Sequence, residues 1–343
     1  MARELVAIAP QQPVLRQYEL PPLGPGMVRI RSEFGAPKHG TELVEYRAPG
    51  AGPVTRYDRE WHCFLPPPPG SQSFPRPLGN MIVGEVTDVG EGVTAFAAGD
   101  RVYGHLPLRD VQVAPADRVA PLPAALSPQA AVCLDPADAA LAMRDAHVRL
   151  GDRVAVFGLG AIGLFVVQYC RLSGAALVLG VDPISRRREV ATRLGADEVL
   201  DPTADDVGLT LRRLTGKLGV DVALEVSGSP KALHQAIRAT RYGGTVGVIA
   251  YYGGMAADLR LGREFHFNAI QLVSCRTVSA PLRDYGWDHA RVVQLAEELL
   301  RTGRIQTDGI IQPSVPFDDV AEAYREIDEH PERSVKLGVQ FSP

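Results

Sequence analysis

The chain has 343 residues, with 36 Lys and Arg against 40 Asp and Glu, a formal net charge of −4 and 45% hydrophobic residues. This length predicts two domains, and the apolar content excludes a disordered or fibrous chain. The slightly acidic balance gives no electrostatic drive toward nucleic acids or acidic lipids, so we expect neither as a partner. No apolar run reaches the roughly 18–20 residues that a transmembrane helix needs.

The N-terminus and the cysteines together indicate a cytoplasmic protein. Glu4 stands where a signal peptide would be basic and then apolar, so we do not expect export. The four cysteines are scattered and form no CxxC pattern. Such spacing is typical of reduced thiols and gives no sign of a disulfide framework.

Residues 1–126 have the sequence pattern of a small β-rich domain with many turns. Pro and Gly separate short runs that are rich in β-branched residues, a pattern typical of such domains. The clearest predicted strands cover residues 28–31, 82–89 and 101–103.

A long segment without regular periodicity, residues 48–79, interrupts this first domain. Loops of that length are unusual in compact domains and often bind ligands or act as lids. The segment carries more polar and aromatic groups than a small alcohol would use. We therefore expect part of a substrate site here, lined by Tyr57, Trp61 and His62.

From residue 127 to residue 277 the pattern changes to strands that alternate with helices. Continuously apolar strands are predicted at 153–157, 176–181, 222–226 and 245–249, with helices at 162–172, 186–194 and 231–241. Buried strands separated by helices predict a parallel α/β sheet. The tail, 278–343, adds predicted helices at 289–301 and 320–329 and a closing strand at 335–341.

A glycine-rich turn after the first apolar strand is the strongest functional signal. It consists of Gly158, Leu159, Gly160, Ala161, Ile162 and Gly163 and opens the next predicted helix. In this context the first glycine permits a sharp turn, the second permits approach of a pyrophosphate, and the third permits close packing of helix on sheet. The helix N-terminus offers free N–H groups to the diphosphate, so we predict a dinucleotide site.

Asp182 ends the next strand, where a carboxylate would accept hydrogen bonds from the ribose hydroxyls of the dinucleotide. Because its charge would repel a 2′-phosphate, NAD is favoured over NADP. Three arginines follow, Arg186, Arg187 and Arg188, and could hold a phosphate, which weakens this preference. The simpler interpretation is a solvated helix face, with Arg187 lying along the adenosine.

Three further motifs extend the pattern: Gly99-Asp100-Arg101-Val102, Gly151-Asp152-Arg153-Val154 and Glu225-Val226-Ser227-Gly228. With the glycine-rich turn they resemble the medium-chain dehydrogenase/reductase superfamily, the zinc-type alcohol dehydrogenase-like proteins, over nearly the whole chain. The resemblance implies a GroES-like β-rich catalytic domain, residues 1–126 completed by 278–343. It also implies an inserted, doubly wound Rossmann domain, residues 127–277, in which Ser227 and Gly228 contribute to the cofactor site. Members are commonly homodimers or homotetramers, with the active site in the cleft between the domains.

The zinc positions of that superfamily are altered in this chain. His39 stands at the first cysteine position, in His39-Gly40-Thr41-Glu42, and Gly79-Asn80-Met81 replaces Gly-His-Glu. Asp135 keeps a carboxylate at the third position, and the four-cysteine lobe of a structural zinc is absent. A catalytic zinc needs three good ligands and an open coordination position. We therefore expect neither a catalytic nor a structural zinc ion. Residues 38–43 instead resemble zinc-less members similar to bacteriochlorophyllide-type dehydrogenases.

Without a metal, protein groups must stabilise the oxyanion and move the proton. Thr41 stands where the family places the hydroxyl that passes the substrate proton. His39 could serve as acid/base or as a hydrogen-bond donor, and Lys38 could place positive charge near an alkoxide. Asp135 could orient His39, or it could cap a helix that begins near Ala137.

Two alternatives concern His39 and its neighbours. His39 could only fill the vacated metal cavity, or His39, Cys63 and Asp135 could form a rebuilt zinc site. Glu42 is expected to be structural, with Lys336 as its mate.

We therefore predict a zinc-independent, NAD-dependent dehydrogenase that interconverts a secondary alcohol and a ketone on a small, polar substrate such as a sugar, a cyclitol or a secondary-metabolite intermediate. One alternative is a zinc-less quinone or enoyl reductase that uses NAD(P)H, against which Asp182 argues. The other is a catalytically inactive nucleotide-binding protein.

Overall fold

The computed structural model describes residues 1–47, 56–66, 73–253, 255–277 and 287–342. The chain divides into two compact units, one formed by Met1–Leu122 and Pro313–Pro343 and the other by Pro123–Gln312. Among the described residues, no helix has both the length and the apolar character needed to span a bilayer.

The strands of the described residues are numbered in chain order. They are β1 (Ala2–Ala9), β2 (Gln12–Tyr18), β3 (Met27–Ala36), β4 (Arg56–Asp58), β5 (Cys63–Leu65), β6 (Arg76–Pro77), β7 (Met81–Val89), β8 (Arg101–Gly104), β9 (Val111–Pro115), β10 (Val119–Pro121), β11 (Arg153–Phe157), β12 (Leu177–Val181), β13 (Glu198–Leu200), β14 (Val220–Glu225), β15 (Thr240–Val248), β16 (Gln271–Ser274), β17 (Ile311–Pro316) and β18 (Lys336–Gln340).

The helices of the same residues are numbered separately. They are α1 (Thr41–Tyr46), α2 (Pro128–Ala131), α3 (Leu134–Ala140), α4 (Ala161–Leu172), α5 (Ser185–Arg193), α6 (Val207–Leu214), α7 (Pro230–Ala239), α8 (Glu264–Phe267), α9 (His289–Arg301) and α10 (Val320–Glu329). Short 3₁₀ turns lie at Ala116–Arg118, Leu141–Ala146, Phe317–Asp319 and Pro331–Arg333.

The first unit is a β-rich body that both ends of the chain complete. Its main sheet has the strand order β10-β8-β7-β3-β18-β17, and β9 also pairs with β3. The C-terminal strand β18 runs antiparallel to β3, with Val339 opposite Gly35. A second sheet has the order β2-β1-β6. Helix α10 packs into the apolar core of this unit, where the rings of Tyr46 and Tyr324 meet edge to face at 5.0 Å.

The predicted loop at 48–79 contains regular structure. Strands β4 and β5 form an antiparallel hairpin in which Tyr57 lies opposite Phe64, and β6 pairs with β1. Residues 48–55 and 67–72 lie outside the described residues. The expectation of one structureless loop is therefore wrong for its described part, because short strand pairs satisfy the backbone there.

The second unit contains a six-stranded, fully parallel sheet in the order β13-β12-β11-β14-β15-β16. This is the doubly wound order, in which the chain starts at the centre and builds outward in both directions. The inner strands β11, β12 and β14 are almost wholly buried, which explains their continuous apolar runs. The predicted α/β fold with a parallel Rossmann sheet is confirmed.

The second unit also extends past the predicted boundary at residue 277. Helix α9 buries Val292, Ala296, Leu299 and Leu300, and at its start His289 Nε2 lies 3.1 Å from Asp138 Oδ2 of α3. Farther along, Gln306 N donates to Gln168 Oε1 at 2.7 Å. Because these contacts tie the segment to α3 and α4, the described residues 287–312 belong to this unit rather than to the β-rich one.

Candidate functional site

The three glycines of the turn after β11 have separate structural reasons. Gly158 has φ +95°, and a Cβ there would lie 2.7 Å from Ser227 N. A Cβ on Gly163 would lie 1.8 Å from Gly158 O, so α4 packs against the turn more closely than any side chain permits. By contrast, a Cβ on Gly160 would meet no atom within 4 Å. Gly160 therefore faces open space, in which a ligand can approach the backbone.

Helix α4 begins directly after Gly160, and no side chain caps its N-terminus. The free N–H groups and the positive end of the helix dipole are therefore available to an anion. This is the geometry that a pyrophosphate needs, and the residues present fit a dinucleotide.

Asp182 is only 3% exposed and lies just beyond β12. Its Oδ2 accepts a hydrogen bond from Leu159 N at 2.8 Å, and its Oδ1 accepts one from Ile184 N at 2.9 Å. These bonds hold the carboxylate against the glycine-rich turn. Each oxygen has a second lone pair, so the group can still accept hydrogen bonds from a ligand.

The three arginines after Asp182 have different surroundings. Arg188 Nη1 donates to Asp182 O at 2.6 Å and lies 3.0 Å from Asp201 Oδ2, so it braces the backbone. Arg187 Nη1 lies 3.9 Å from Asp182 Oδ2. Burial lowers the pKa of the Arg187 guanidinium, and the charge of Asp182 opposes this shift.

A cleft of about 820 Å³ lies in the second unit at the carboxyl ends of the strands. We call it the cofactor cleft; Gly158, Asp182, Arg187 and Ser227 are among its lining residues. Clefts of roughly 300–1,000 Å³ are typical of small-molecule sites, and ligands of open α/β sheets bind at this edge. The structure thus brings four predicted cofactor residues together around one cavity.

Several lining residues of the cofactor cleft were not predicted. They add a largely basic wall that includes Lys231, His234, Arg238, Arg260 and Arg263. They come from α7 and from the segment before α8, which are distant in sequence from the glycine-rich turn. Of these residues, only Lys231 could have been predicted from the sequence, because it lies three residues after the Ser227-Gly228 motif.

Glu225 belongs to the Glu225-Val226-Ser227-Gly228 motif, and no role was predicted for it. It ends β14, is fully buried, and accepts hydrogen bonds from Ser227 N at 2.8 Å and Gly228 N at 3.2 Å. The hydroxyls of Ser227 and Tyr252 donate to it as well. Burial raises the pKa of its carboxyl, and these hydrogen bonds oppose the shift. Glu225 therefore fixes the Ser227-Gly228 turn. The sequence feature that could have predicted this role is a single acidic residue at the end of an apolar strand.

In the first unit, His39 precedes α1, and its ring is held by the last strand. Leu337 N donates a hydrogen bond to His39 Nε2 at 2.9 Å. A nitrogen that accepts this bond carries no proton, so the neutral ring has its hydrogen on Nδ1. Of the two roles predicted for His39, this geometry favours the hydrogen-bond donor over the acid/base.

Glu42 is partly buried and its carboxylate is held by three donors, while the structural role with Lys336 as its mate stays a prediction. Its Oε2 accepts from Lys38 N at 3.0 Å, and its Oε1 accepts from Gly79 N at 2.8 Å and from Tyr324 Oη at 2.7 Å. Burial raises the pKa of this carboxyl, while the three hydrogen bonds and the charge of Lys336 lower it.

Lys336 is also buried and donates from Nζ to Pro37 O at 2.7 Å. Together, Glu42 and Lys336 fix the segment from residue 37 to the start of α1. Thr41 is the first residue of that helix, so its backbone is fixed as well.

Asp135 does not cap a helix. Helix α3 begins at Leu134, one turn earlier than the predicted start near Ala137, so Asp135 lies in the first turn and is buried. The N-cap position belongs to Cys133, whose side chain makes no capping bond. The predicted capping role is therefore wrong.

The predicted substrate residues lie together on the β4–β5 hairpin. Tyr57 Oη is 3.4 Å from His62 Nδ1, and the rings of Tyr57 and Phe64 meet at 5.4 Å. Trp61 is 72% exposed at the tip of this hairpin. The three side chains thus form one exposed, polar-aromatic surface of the first unit.

The residues at the family's zinc positions do not fit a catalytic zinc. The Nε2 of His39 accepts a backbone hydrogen bond, Asn80 offers a neutral amide, and Met81 is a buried thioether. In the parts of the chain that the structure describes, no three His, Cys, Asp or Glu side chains are grouped so that they could hold a metal.

Comparisons with known proteins agree with this architecture. Residues 161–291 match the family model described as zinc-binding dehydrogenase. The chain belongs to this family of medium-chain, zinc-type alcohol dehydrogenase-like proteins, as predicted, and it is an oxidoreductase of the dehydrogenase class that acts on CH–OH groups.

Among the relatives, D-guloside 3-dehydrogenase of Escherichia coli (strain K12) is 42% identical over 349 residues, which cover 99% of this chain and 100% of that protein. The (R,R)-butanediol dehydrogenase of Bacillus subtilis (strain 168) is 28% identical and covers 90% of each chain. The crystal structure of 2R,3R-butanediol dehydrogenase from Bacillus subtilis superimposes with a TM-score of 0.76 at 23% identity and covers 99% of both chains, a likeness that shows the fold.

Proposed function

We propose that the protein is a zinc-independent, NAD-dependent dehydrogenase that interconverts a secondary alcohol and a ketone on a sugar glycoside. The observation that carries this proposal is the 42% identity to D-guloside 3-dehydrogenase over 99% of the chain. The polar and aromatic surface formed by Tyr57, Trp61 and His62 supports a hydroxyl-rich substrate.

The preference for NAD rests on Asp182. A carboxylate fixed by Leu159 N and Ile184 N can accept from both ribose hydroxyls, and its charge repels a 2′-phosphate. Arg187 lies beside it and favours contact with the adenosine. The glycine-rich turn and the N-terminus of α4 would hold the diphosphate. When bound, NAD supplies the nicotinamide carbon that exchanges hydride with the substrate.

Zinc independence rests on the chemistry of the donor set. His39 is engaged through Nε2, and Asn80 and Met81 are poor zinc ligands. Protein groups must therefore move the proton. During oxidation, the substrate carbon gives up a hydride, and the Thr41 hydroxyl accepts the substrate's hydroxyl proton while it releases its own to water. Lys38, in the same segment, supplies positive charge that favours the alkoxide.

The position of the Thr41 hydroxyl is fixed by the next residue, Glu42. Glu42 accepts three hydrogen bonds and thereby fixes the start of α1, so the Thr41 hydroxyl is presented from a rigid backbone. His39, held by Leu337, acts as a neutral donor through Nδ1 and keeps its ring orientation.

The assembly and the location are part of the same proposal. Among the described residues, strand β16 lies at the edge of the parallel sheet, and Leu272 on it is exposed. An exposed strand edge is a template for pairing, which supports a homodimer or a homotetramer built from such dimers. Three of the four cysteines are buried and free, which supports a reducing, cytoplasmic compartment.

Turnover tests the proposal directly. The purified protein is incubated with NAD or NADP and a panel of D-gulosides, D-glucosides and simple secondary alcohols, and the absorbance of the reduced cofactor is followed. We expect a glycoside to be oxidised with NAD at a higher kcat/KM than with NADP. Reduction of enones or quinones alone would support the reductase instead. NADH binding without any turnover would support the inactive nucleotide-binding protein.

A further inference from the structure

Asn80 is held beside the segment that carries His39 and Thr41. Asn80 N donates to Ala36 O at 3.2 Å, and the preceding Gly79 N donates to Glu42 Oε1 at 2.8 Å. These two bonds join residues 79 and 80 to both ends of the segment 36–42. The backbone of residues 79 and 80 is therefore held against the segment that contains Thr41, the proposed proton-transfer group, within one compact unit.

The two ends of the Asn80 amide have different surroundings. Oδ1 lies 3.4 Å from His105 Nδ1, which can donate to it as the Nδ1–H tautomer. Nδ2 is buried and has no hydrogen-bond partner among the described residues. Buried donors are almost always paired, because an unpaired one destabilises the fold. The contact with His105 thus orients the amide through Oδ1, while the N–H groups of Nδ2 remain available to donate to a ligand.

We propose that Asn80 Nδ2 donates a hydrogen bond to the substrate oxygen that becomes the ketone or the alkoxide. The inference rests on the proposed function, and it adds a catalytic residue to it. An amide donor stabilises negative charge on that oxygen and neither takes nor gives a proton, so Thr41 remains the group that moves the proton. This is the arrangement of an oxyanion hole, built from a neutral side chain.

Three other polar side chains close to the segment in the fold are already engaged. Glu42 accepts three hydrogen bonds, Lys336 donates to Pro37 O, and His39 Nε2 accepts from Leu337 N. Asn80 Nδ2 differs from them because it is a donor with no acceptor in the described part of the chain. A carbonyl or alkoxide oxygen is the acceptor that the proposed reaction would bring.

Two variants of Asn80 test the proposal together. Asn80→Asp keeps the shape and removes the donor, and Asn80→Leu removes all polarity while it keeps the branching and the number of side-chain heavy atoms. For both we expect kcat on the glycoside to fall about 100-fold to 1,000-fold, the loss typical of one oxyanion donor. The affinity for NADH, measured by fluorescence titration, should stay within about twofold. Asn268→Ala serves as the matched control, because Asn268 lies outside this segment, and it should keep wild-type kcat.

The melting temperature supplies a measurement that does not depend on turnover. Asn80→Leu should melt at or above the wild-type temperature, since it removes an unpaired buried donor. A fall of several degrees would overturn the inference, because the amide would then have a structural partner. Retention of kcat in Asn80→Asp would overturn it as well. A wild-type protein that turns over no alcohol would instead contradict the proposed function, while the melting result would still test whether the amide is unpaired.

Discussion

We propose that the carboxylate of Asp182 determines which dinucleotide the protein prefers, and Asp182→Asn is the change that tests this. Asparagine keeps the size of the side chain and one oxygen, which can still accept from Leu159 N or Ile184 N. It removes the charge that strengthens hydrogen bonds from the ribose and repels a 2′-phosphate. The glycine-rich turn should therefore survive while the cofactor preference changes.

The expected change in cofactor affinity follows from the hydrogen bonds that the Asp182 carboxylate would make to the ribose. A hydrogen bond to a charged group contributes about 1.5–3 kcal/mol, and each 1.4 kcal/mol is roughly a tenfold change in affinity. Loss of the charge on one ribose contact should therefore weaken NADH binding about tenfold to a hundredfold. NADPH should lose less or even gain, because the repulsion of its 2′-phosphate disappears while Arg187 remains nearby.

The assay is the dissociation constant of NADH and of NADPH for three proteins: the wild type, Asp182→Asn and Asp197→Asn. Asp197 is a matched control, since its Oδ2 also accepts a backbone bond, from Val178 N at 2.8 Å, but it does not line the cofactor cleft. An unchanged ratio of NADH to NADPH affinity in Asp182→Asn would refute the role given to this carboxylate. The same shift in Asp197→Asn would show that the effect is general destabilisation.

Three further changes test other parts of the account. Thr41→Val should lower kcat about 100-fold, with Thr41→Ser restoring most of it, because the hydroxyl relays the proton; a change in KM alone would make Thr41 a positioning group. Gly163→Ala should lower the melting temperature sharply, since its Cβ would lie 1.8 Å from Gly158 O, whereas Gly160→Ala should melt normally and lose NADH affinity; equal effects on both measurements would contradict this division. Glu42→Ala should cost several kcal/mol in the free energy of unfolding by chemical denaturation, because it leaves three donors unpaired. The exposed Glu45→Ala on the same helix should cost under about 1 kcal/mol, and similar losses in the two variants would contradict the buried network.

The sequence was most informative where each element is specified locally. The apolar strands and the glycine-rich turn predicted the parallel sheet, and Asp182 lies where the turn needs a carboxylate. Here the strand, the turn and the helix N-terminus are adjacent in the chain. The structural role expected for Glu42 came from the family resemblance, with Lys336 as its mate, whereas the bonds from Lys38 N, Gly79 N and Tyr324 Oη could not be predicted.

Features that depend on distant contacts were missed. A helix cap was one of two roles considered for Asp135, but α3 already begins at Leu134, which places Asp135 in its first turn. The segment 278–312 was assigned to the β-rich unit, but α9 packs on α3 through partners that its own sequence does not specify. The basic wall of the cofactor cleft and the unpaired amide of Asn80 arise only when the chain has folded.

The metal content of active protein tests the central claim most directly. Zinc is measured by elemental analysis in the protein as purified and after dialysis against a chelator, and NAD-dependent oxidation of a D-guloside is measured on the same samples. We expect full turnover with far less than one zinc per chain and no loss after chelation. Zinc near one equivalent per chain, with turnover lost on chelation and restored by added zinc, would contradict a mechanism that relies on protein groups alone.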